Sequence, residues 1–163
     1  MTNYFNRLDN REMALNGITH SVSFSLSLTG NETKYLQIKT GATTCFIVEY
    51  HISSSSEPLK LTAIESPTLT NGTTAIPSYK VNRQKSGSAV TLFYSDPTSI
   101  SAGTTIHTEV CTAGKGAGAS AGDAHGWVLK KNTSYLWKIE QLTNQATTVA
   151  GELLFAENYP SAS

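Results

Sequence analysis

The sequence predicts an all-β protein whose strands pair antiparallel in a sandwich or a barrel. Short segments that alternate apolar and polar residues recur about every 8–12 residues, which is the strand spacing of such folds. No segment shows the apolar periodicity of a helix of about ten residues or more. The predicted strands are joined by short connections, which favours antiparallel pairing because parallel strands need a long crossover.

A strand–turn–strand motif occurs twice near the middle of the chain, at residues 66–74 and 96–105. Each copy contains Pro-Thr, then a few polar or branched residues, then Gly-Thr-Thr. Proline has no N–H to donate to a sheet, so Pro67 and Pro97 should mark the ends of the preceding strands. The motif contains no reactive group, and it predicts shape rather than catalysis.

Each copy also follows an alternating apolar run, and period two predicts one buried face per strand. The residues expected on those buried faces are Leu59, Leu61 and Ala63 before the first copy and Val90, Leu92 and Tyr94 before the second. A tight reversal needs a residue at positive φ, and Asn71-Gly72 and Ala102-Gly103 are expected to supply it.

Two further segments have clear strand patterns. Residues 21–28 alternate strictly, which predicts four exposed serines and a buried face of Val22, Phe24, Leu26 and Leu28. Residues 45–52 are more evenly apolar, which is typical of a central strand. Cys45 and Cys111 lie in strand-like runs and are expected to be buried free thiols, because two cysteines are too few for a disulfide framework.

The length of 163 residues favours one domain. We place this β-sandwich domain at residues 20–163, after an extended N-terminal arm at residues 1–19 in which Gly17 ends any helical turn. Residues 76–88 hold much of the positive charge and are expected to form a solvated loop. Residues 112–126 are rich in glycine and alanine, which predicts a long loop that is functional or disordered.

The composition restricts the classes of partner. Charged residues make up 15% of the chain, the formal net charge is +0 and the pI is about 6.9. This balance argues against a nucleic-acid-binding surface. No run reaches the roughly 20 apolar residues of a membrane span, and no apolar core of signal-peptide length is present, so we expect synthesis and folding in a cytoplasm.

The sequence shows no constellation of catalytic, cofactor-binding or metal-binding residues. His20, His51 and His107 have no acid–base partner in a known spacing, and the pair of Asp123 and His125 lies in a segment too mobile to hold catalytic geometry. Lys115 is followed by glycine and no helix follows, so the glycine-rich segment does not match a phosphate loop. We therefore predict a non-enzyme that holds neither cofactor nor metal.

Several segments together resemble a family of small structural proteins of tailed bacteriophages. They are Tyr35–Thr40, Glu65–Thr68 with Gly72-Thr73, Asn82-Arg83, Asp96–Thr98, the glycine-rich segment, Trp127–Tyr135 and the closing alternating strand. The resemblance covers roughly residues 20–157. Several head decoration (cement) proteins of such phages are jelly-roll-like sandwiches, so the resemblance implies a jelly-roll-like β-sandwich that binds the outside of a capsid.

The resemblance also implies a location on the capsid surface, after assembly in the host cytoplasm, with the major capsid protein and further copies of this chain in a dimer or trimer as partners. The arm and the glycine-rich segment would contact neighbouring subunits through Tyr4, Phe5, Arg7, Arg11, Lys115 and His125. One alternative is a neck, tail or fibre protein that binds a receptor or a glycan. Another is an enzyme such as a glycosidase appendage, which would need two carboxyl groups facing across a cleft.

Overall fold

The computed structural model describes residues 10–112, 120–123 and 126–158. The elements within these ranges are α1 (Asn10–Leu15), β1 (Thr19–Leu28), β2 (Thr33–Lys39), β3 (Cys45–Ser54), β4 (Leu59–Glu65), β5 (Thr68–Thr70), β6 (Thr74–Ile76), β7 (Ser78–Lys80), β8 (Leu92–Ser95), β9 (Thr98–Ser101), β10 (Thr104–Cys111), β11 (Ser120–Asp123), β12 (Trp127–Leu129), β13 (Ser134–Gln141) and β14 (Thr147–Glu157).

The strands form a sandwich of two antiparallel sheets, which confirms the predicted fold class. The first sheet has the order β11-β3-β14-β1-β7, with β12 also paired to β3, and the second has the order β10-β4-β13-β2-β8-β6. The strands β1, β2, β3 and β4 alternate between the two sheets, while β14 lies between β1 and β3 and β13 lies between β2 and β4. This interleaving of early and late strands is a jelly-roll arrangement.

The main core lies between the inner faces of the two sheets. Its largest fully buried side chains are Trp137, Tyr50, Phe93 and Phe155. In β1 the predicted alternation is confirmed, because Val22, Phe24 and Leu28 are buried and Leu26 packs against the core while partly exposed. The burial of these apolar faces is the main favourable contribution to the free energy of folding.

A smaller apolar cluster lies on the outer face of the first sheet. Met13 of α1 packs there with Val48 of β3 and Ala156 of β14. Gly17, at φ 71°, ends the helix as predicted. The N–H of Gly17 donates to the carbonyl of Ala14 and the N–H of Ile18 donates to that of Met13, which is the Schellman pattern. Part of the predicted arm is therefore attached to the sandwich.

The cysteines are buried and free, as predicted. Burial raises the pKa of the Cys45 thiol to about 12 and that of the Cys111 thiol to about 11. Both sulfurs therefore remain protonated at neutral pH, and they act as small apolar side chains of the core.

The predicted buried face of β8 is wrong by one residue. Val90 and Leu92 are 47% and 45% exposed, whereas Phe93 is buried and its ring centroid lies 5.1 Å from that of Phe155. Phe93 also pairs with Ile38 in β2. Because side chains alternate with period two, the placement of one large aromatic ring in the core turns the flanking apolar residues outward.

Two predicted loops contain strands. Within residues 76–88, β7 pairs with β1, and within residues 112–126, β11 pairs with Tyr50–Ser53 of β3. Both are short strands added to the edges of the first sheet. The hydrogen bonds between paired strands join backbone groups and need no apolar side chain. These two strands can therefore form without the apolar pattern by which the longer strands are predicted.

Substitution of Gly151 by alanine is expected to destabilise the fold by about 1–3 kcal/mol, because it overpacks the core. Gly151 pairs with Phe24, and a Cβ at Gly151 would lie 2.2 Å from Cζ of the Phe24 ring. Denaturant unfolding measures the change, with Ala150→Ser on the exposed face of the same strand as the control. Equal stabilities of Gly151→Ala and the wild type would contradict this packing.

Acidification is expected to destabilise the fold through His20. This side chain is buried and stacks on Phe155 with ring centroids 5.3 Å apart. Burial, with Lys80 in the same direction and Glu157 opposing, lowers the pKa of His20 below its usual 6.5. The unfolded chain therefore binds the proton first, so this contribution is complete above about pH 6.5 and is lost as the pH falls towards the folded-state pKa.

The measurement is the free energy of unfolding as a function of pH between neutrality and mild acid. His20→Gln should flatten the decrease seen in the wild type, whereas His51→Gln, at an exposed position, should leave it unchanged. An unaltered decrease in His20→Gln would show that other groups cause the acid sensitivity.

Candidate functional site

The structure does not describe the side chains of the interface residues that were predicted from the sequence. Tyr4, Phe5, Arg7, Lys115 and His125 lie outside the described residues. Arg11 lies in α1, but its side chain is outside the description. Their part in an interface stays a prediction, and the surface described below consists of other residues.

The two copies of the repeated motif pair with each other. In β5 and β9, Thr68 pairs with Ser101 and Thr70 pairs with Thr98. The first copy carries the chain from β4 to β6 and the second from β8 to β10, and β13 and β2 separate β4 from β8 in the second sheet. The two connections therefore run across this sheet in opposite directions and pair where they meet. We call residues 66–74 and 96–105 the ribbon.

Both copies of the motif in the ribbon begin with the same backbone geometry. Ser66 and Asp96, each directly before a proline, have φ values of 53° and 57°. Because β4 ends at Glu65 and β8 ends at Ser95, the prediction that Pro67 and Pro97 mark strand ends is confirmed. A non-glycine residue at positive φ costs about 1–3 kcal/mol and persists only where its surroundings hold it.

The chain reversal at the end of the motif differs between the two copies. Ala102 and Gly103 have φ values of 55° and 94°, which confirms the prediction for the second copy. Asn71 and Gly72 are not among the residues with positive φ, so the prediction for the first copy is wrong. Gly72 is required there by close approach instead, because a Cβ would lie 2.1 Å from the carbonyl oxygen of Ser95.

One buried amide joins the ribbon to the second sheet. Gln37 lies between the core residues Leu36 and Ile38 of β2, so its side chain points to the outer face, where it is fully buried. Its Nε2 donates to Oδ1 of Asn71 at 2.8 Å and to Oγ of Ser134 at 3.3 Å, and its Oε1 accepts the N–H of Gly72 at 3.1 Å. The ribbon is thereby fixed against the sheet.

The outward surface of the paired strands of the ribbon carries hydroxyl groups, and the one ionisable residue of the ribbon is the exposed Asp96 at the start of the second copy. Residues 66–79 and 97–106 contain no Asp, Glu, Lys or Arg. The exposed residues of the paired strands are Thr68, Thr70, Thr98, Ser99 and Ser101. A protein partner can cover such a surface without removing ionised groups from water, which would be costly.

An open groove of about 340 Å³ lies beside the ribbon and contains two exposed apolar side chains. Ile106 is 44% exposed and Val128 is 70% exposed. The other lining residues are Glu65, Gly126, Trp127, Leu129 and Tyr135. The groove is continuous with the ribbon, because Gly103 lies against Ile64 and the carbonyl of Glu65.

Polar contacts hold the base of the groove. Lys130 Nζ lies 2.6 Å from Oε1 of Glu65, and the Tyr135 hydroxyl donates to Oε2 of the same carboxylate at 3.1 Å. The hydrogen bond from Lys130 is the main reason that the pKa of Glu65 is below its usual range. Burial raises the pKa of Tyr135 to about 12. The carboxylate is therefore ionised and the phenol protonated near neutrality, which keeps these contacts in place.

An aromatic cluster supports the groove from the inside. The Trp127 ring lies 5.7 Å from Tyr50, 5.3 Å from His107 and 6.2 Å from Trp137, between centroids. The Tyr50 hydroxyl lies 3.1 Å from Nε2 of His107 and donates to Glu109 at 3.1 Å. These contacts fix the orientation of Trp127. They join β3, β10, β12 and β13, and no sequence spacing indicates that these residues meet.

Within the described ranges, no group of three or more His, Cys, Asp or Glu side chains is placed to hold a metal ion. No helix among the described residues has the length and apolarity needed to cross a membrane. The geometry built by these residues is that of a rigid, mostly uncharged contact surface.

No family model and no curated protein matches the chain. Among solved structures, it is similar to the Yersinia pseudotuberculosis-derived mitogen, with 8% identity and a TM-score of 0.41 over 88% of this chain and 89% of the mitogen.

Two further structural similarities cover less than two thirds of the other protein. Hydroquinone 1,2-dioxygenase from Sphingomonas sp. has 12% identity and a TM-score of 0.29, over 85% of this chain and 59% of the dioxygenase. A chain from infectious bursal disease virus has 13% identity and a TM-score of 0.13, over 86% of this chain and 47% of the viral chain. At such low identities and TM-scores, none of these similarities carries an argument about function.

Replacement of Gln37 by methionine is expected to destabilise the protein by about 1–3 kcal/mol, because the buried N–H of Gly72 loses its partner. The amide of Gly72 should also exchange its hydrogen faster, since the ribbon is no longer fixed to the sheet. Denaturant unfolding and hydrogen exchange measure the two effects. Gln145→Met, at an exposed position, is the matched control. Unchanged protection of Gly72 in Gln37→Met would contradict the anchoring role.

Proposed function

We propose that this chain is a decoration (cement) protein of a tailed bacteriophage, which binds the outer surface of the head and bridges subunits of the major capsid protein. The observation that carries the proposal is the pair of uncharged strands β5 and β9 in the ribbon, which Gln37 anchors to the sheet and which adjoin the groove that exposes Ile106 and Val128. The jelly-roll sandwich and the sequence resemblance to small phage structural proteins support the same role.

The proposed role is mechanical. A protein that binds only the assembled shell lowers the free energy of that state by mass action. A rigid contact surface loses little conformational entropy on binding, so more of the interaction energy contributes to affinity. Repetition over a symmetric shell, with this chain as a dimer or trimer, multiplies a modest gain at each site. The N-terminal arm and the glycine-rich segment would add contacts to neighbouring subunits.

The alternative of a glycan-binding fibre or tail protein receives less support from the aromatic side chains. A glycan platform needs an exposed ring face. Trp137 is 1% exposed, Trp127 is only partly exposed, and Arg83 lies over the Tyr79 ring with its Cζ 5.1 Å from the centroid. We also propose a non-enzymatic role. Tyr50, His107 and Glu109 are a cluster of titratable side chains, but their contacts with one another and with Trp127 give them a structural role.

Introduction of two carboxylates into the ribbon, by Thr98→Glu with Ser101→Glu, is expected to weaken binding to capsids that lack this protein by about tenfold or more. The reason is that a carboxylate buried in an interface without a partner costs several kcal/mol. Co-sedimentation with purified capsids measures binding. The temperature at which the capsids release DNA measures stabilisation, and it should rise with the wild type and rise less with the variant.

The matched control is Ser23→Glu with Ser25→Glu, which adds the same charge at exposed positions on the outer face of the first sheet. Equal binding by the ribbon variant and the control would show that the ribbon is not the capsid-binding surface. Capsids with the same heat resistance with and without the wild-type protein would contradict the decoration role itself.

A further inference from the structure

A second surface, separate from the ribbon, gathers positive charge at the edge of the first sheet. β7 pairs with β1 there, and the chain then turns back on itself at Asn82–Lys85, where the N–H of Lys85 donates to the carbonyl of Asn82 at 3.1 Å. The turn encloses an open cleft of about 410 Å³. We call it the basic cleft, lined by Ser78, Tyr79, Lys80, Arg83, Lys85, Gly87 and Ser88.

Each of the three cations of the basic cleft is held by a contact of its own. Lys80 Nζ donates to the carbonyl of Gly17 at 2.5 Å, which leaves its other two N–H groups available. The guanidinium of Arg83 lies over the ring of Tyr79. The aliphatic stem of Lys85 packs on Gly17, where an added Cβ would lie 2.7 Å from Cγ of the lysine. The charged groups are therefore partly ordered before any ligand binds.

These cations differ from most other described basic side chains because no described carboxylate is paired with them. Ion pairs with glutamates are made by Lys34, Lys60, Lys130 and Lys138. Lys80, Arg83 and Lys85 form no ion pair with a described carboxylate, and residues 66–95 contain no Asp or Glu. In a chain of formal net charge +0, these three residues form a local concentration of positive charge.

We propose that the basic cleft binds the carboxylates of an acidic segment on a partner protein. The planar guanidinium of Arg83 can accept a carboxylate in bidentate geometry, while Lys80 and Lys85 act as flanking point charges. The hydroxyls of Ser78 and Ser88 line the same cleft and can donate to the remaining lone pairs. The cleft binds such a segment whether or not the ribbon binds a capsid.

The geometry favours an acidic protein segment over a nucleic acid. A nucleic-acid site extends a basic stripe along many phosphates and shifts the whole chain towards a basic pI, whereas the pI here is about 6.9. The ring on which a base would stack, Tyr79, is covered on one face by Arg83. The cleft is also open, whereas small phosphate ligands are commonly held in a concave cradle of backbone N–H groups.

The test uses the full chain and a short oligoglutamate peptide as the probe, with an oligoglutamine peptide of the same length as the uncharged control. In NMR titrations we expect oligoglutamate to shift the backbone amide signals of residues 78–88, and oligoglutamine to leave them unchanged. Affinity should fall as the salt concentration rises, because exposed ion pairs are screened. Failure of oligoglutamate to shift these signals at low salt would overturn the proposal.

Variants test the roles of the individual cations. Arg83→Ala and Lys85→Ala are each expected to weaken oligoglutamate binding about fivefold or more, since each removes hydrogen bonds to a charged group. Arg83→Lys should recover part of the loss, because it keeps the charge without the bidentate fork. Lys131→Ala, which removes an exposed lysine outside the cleft, is the matched control and should bind like the wild type.

Two further outcomes would overturn the proposal. Equal weakening by Lys131→Ala would show that only the total charge matters. Tighter binding of a single-stranded oligonucleotide or of inorganic phosphate than of oligoglutamate, at equal salt, would identify a phosphate site instead. Capsid binding by the ribbon is measured separately, so Arg83→Ala can lose oligoglutamate binding while the ribbon contact remains intact, and either proposal can fail alone.

Discussion

The ribbon depends on the buried amide of Gln37. Because of the strand order, two connections cross the outer face of the second sheet, and a polar anchor is needed to hold them there. Gln37 supplies it by bonding Asn71, Gly72 and Ser134 at once. Because a buried amide is costly unless its hydrogen bonds are made, the same residue that fixes the ribbon also disfavours other arrangements.

The two proposed binding surfaces differ in the physical interaction that they offer. The paired strands of the ribbon present hydroxyls, and the groove beside them exposes apolar side chains above a Glu65 carboxylate that is already paired with Lys130, which suits a closely packed protein contact. The basic cleft presents three cations that are not paired with a described carboxylate, which suits recognition of an acidic group through an attraction that acts over a longer range. A protein that carried both could be guided by charge at one surface and held by shape at the other.

Some parts of this fold could be read from local patterns. Alternation predicted the inner face of β1, the prolines predicted the ends of β4 and β8, and Gly17 predicted the end of α1. Each of these depends on neighbours in the chain. In β8 the same reasoning failed, because Val90 and Leu92 look like a buried face, but only Phe93 fills the space beside Phe155.

The sequence by itself determined that the chain forms antiparallel strands around one apolar interior and that a turn motif is repeated, because periodicity and proline act through the local backbone. Only the tertiary structure decided that the two repeats pair, that Gly72 is needed for space rather than for positive φ, and that Lys80, Arg83 and Lys85 share one cleft. Those facts depend on contacts between residues far apart in the chain, which no local pattern specifies.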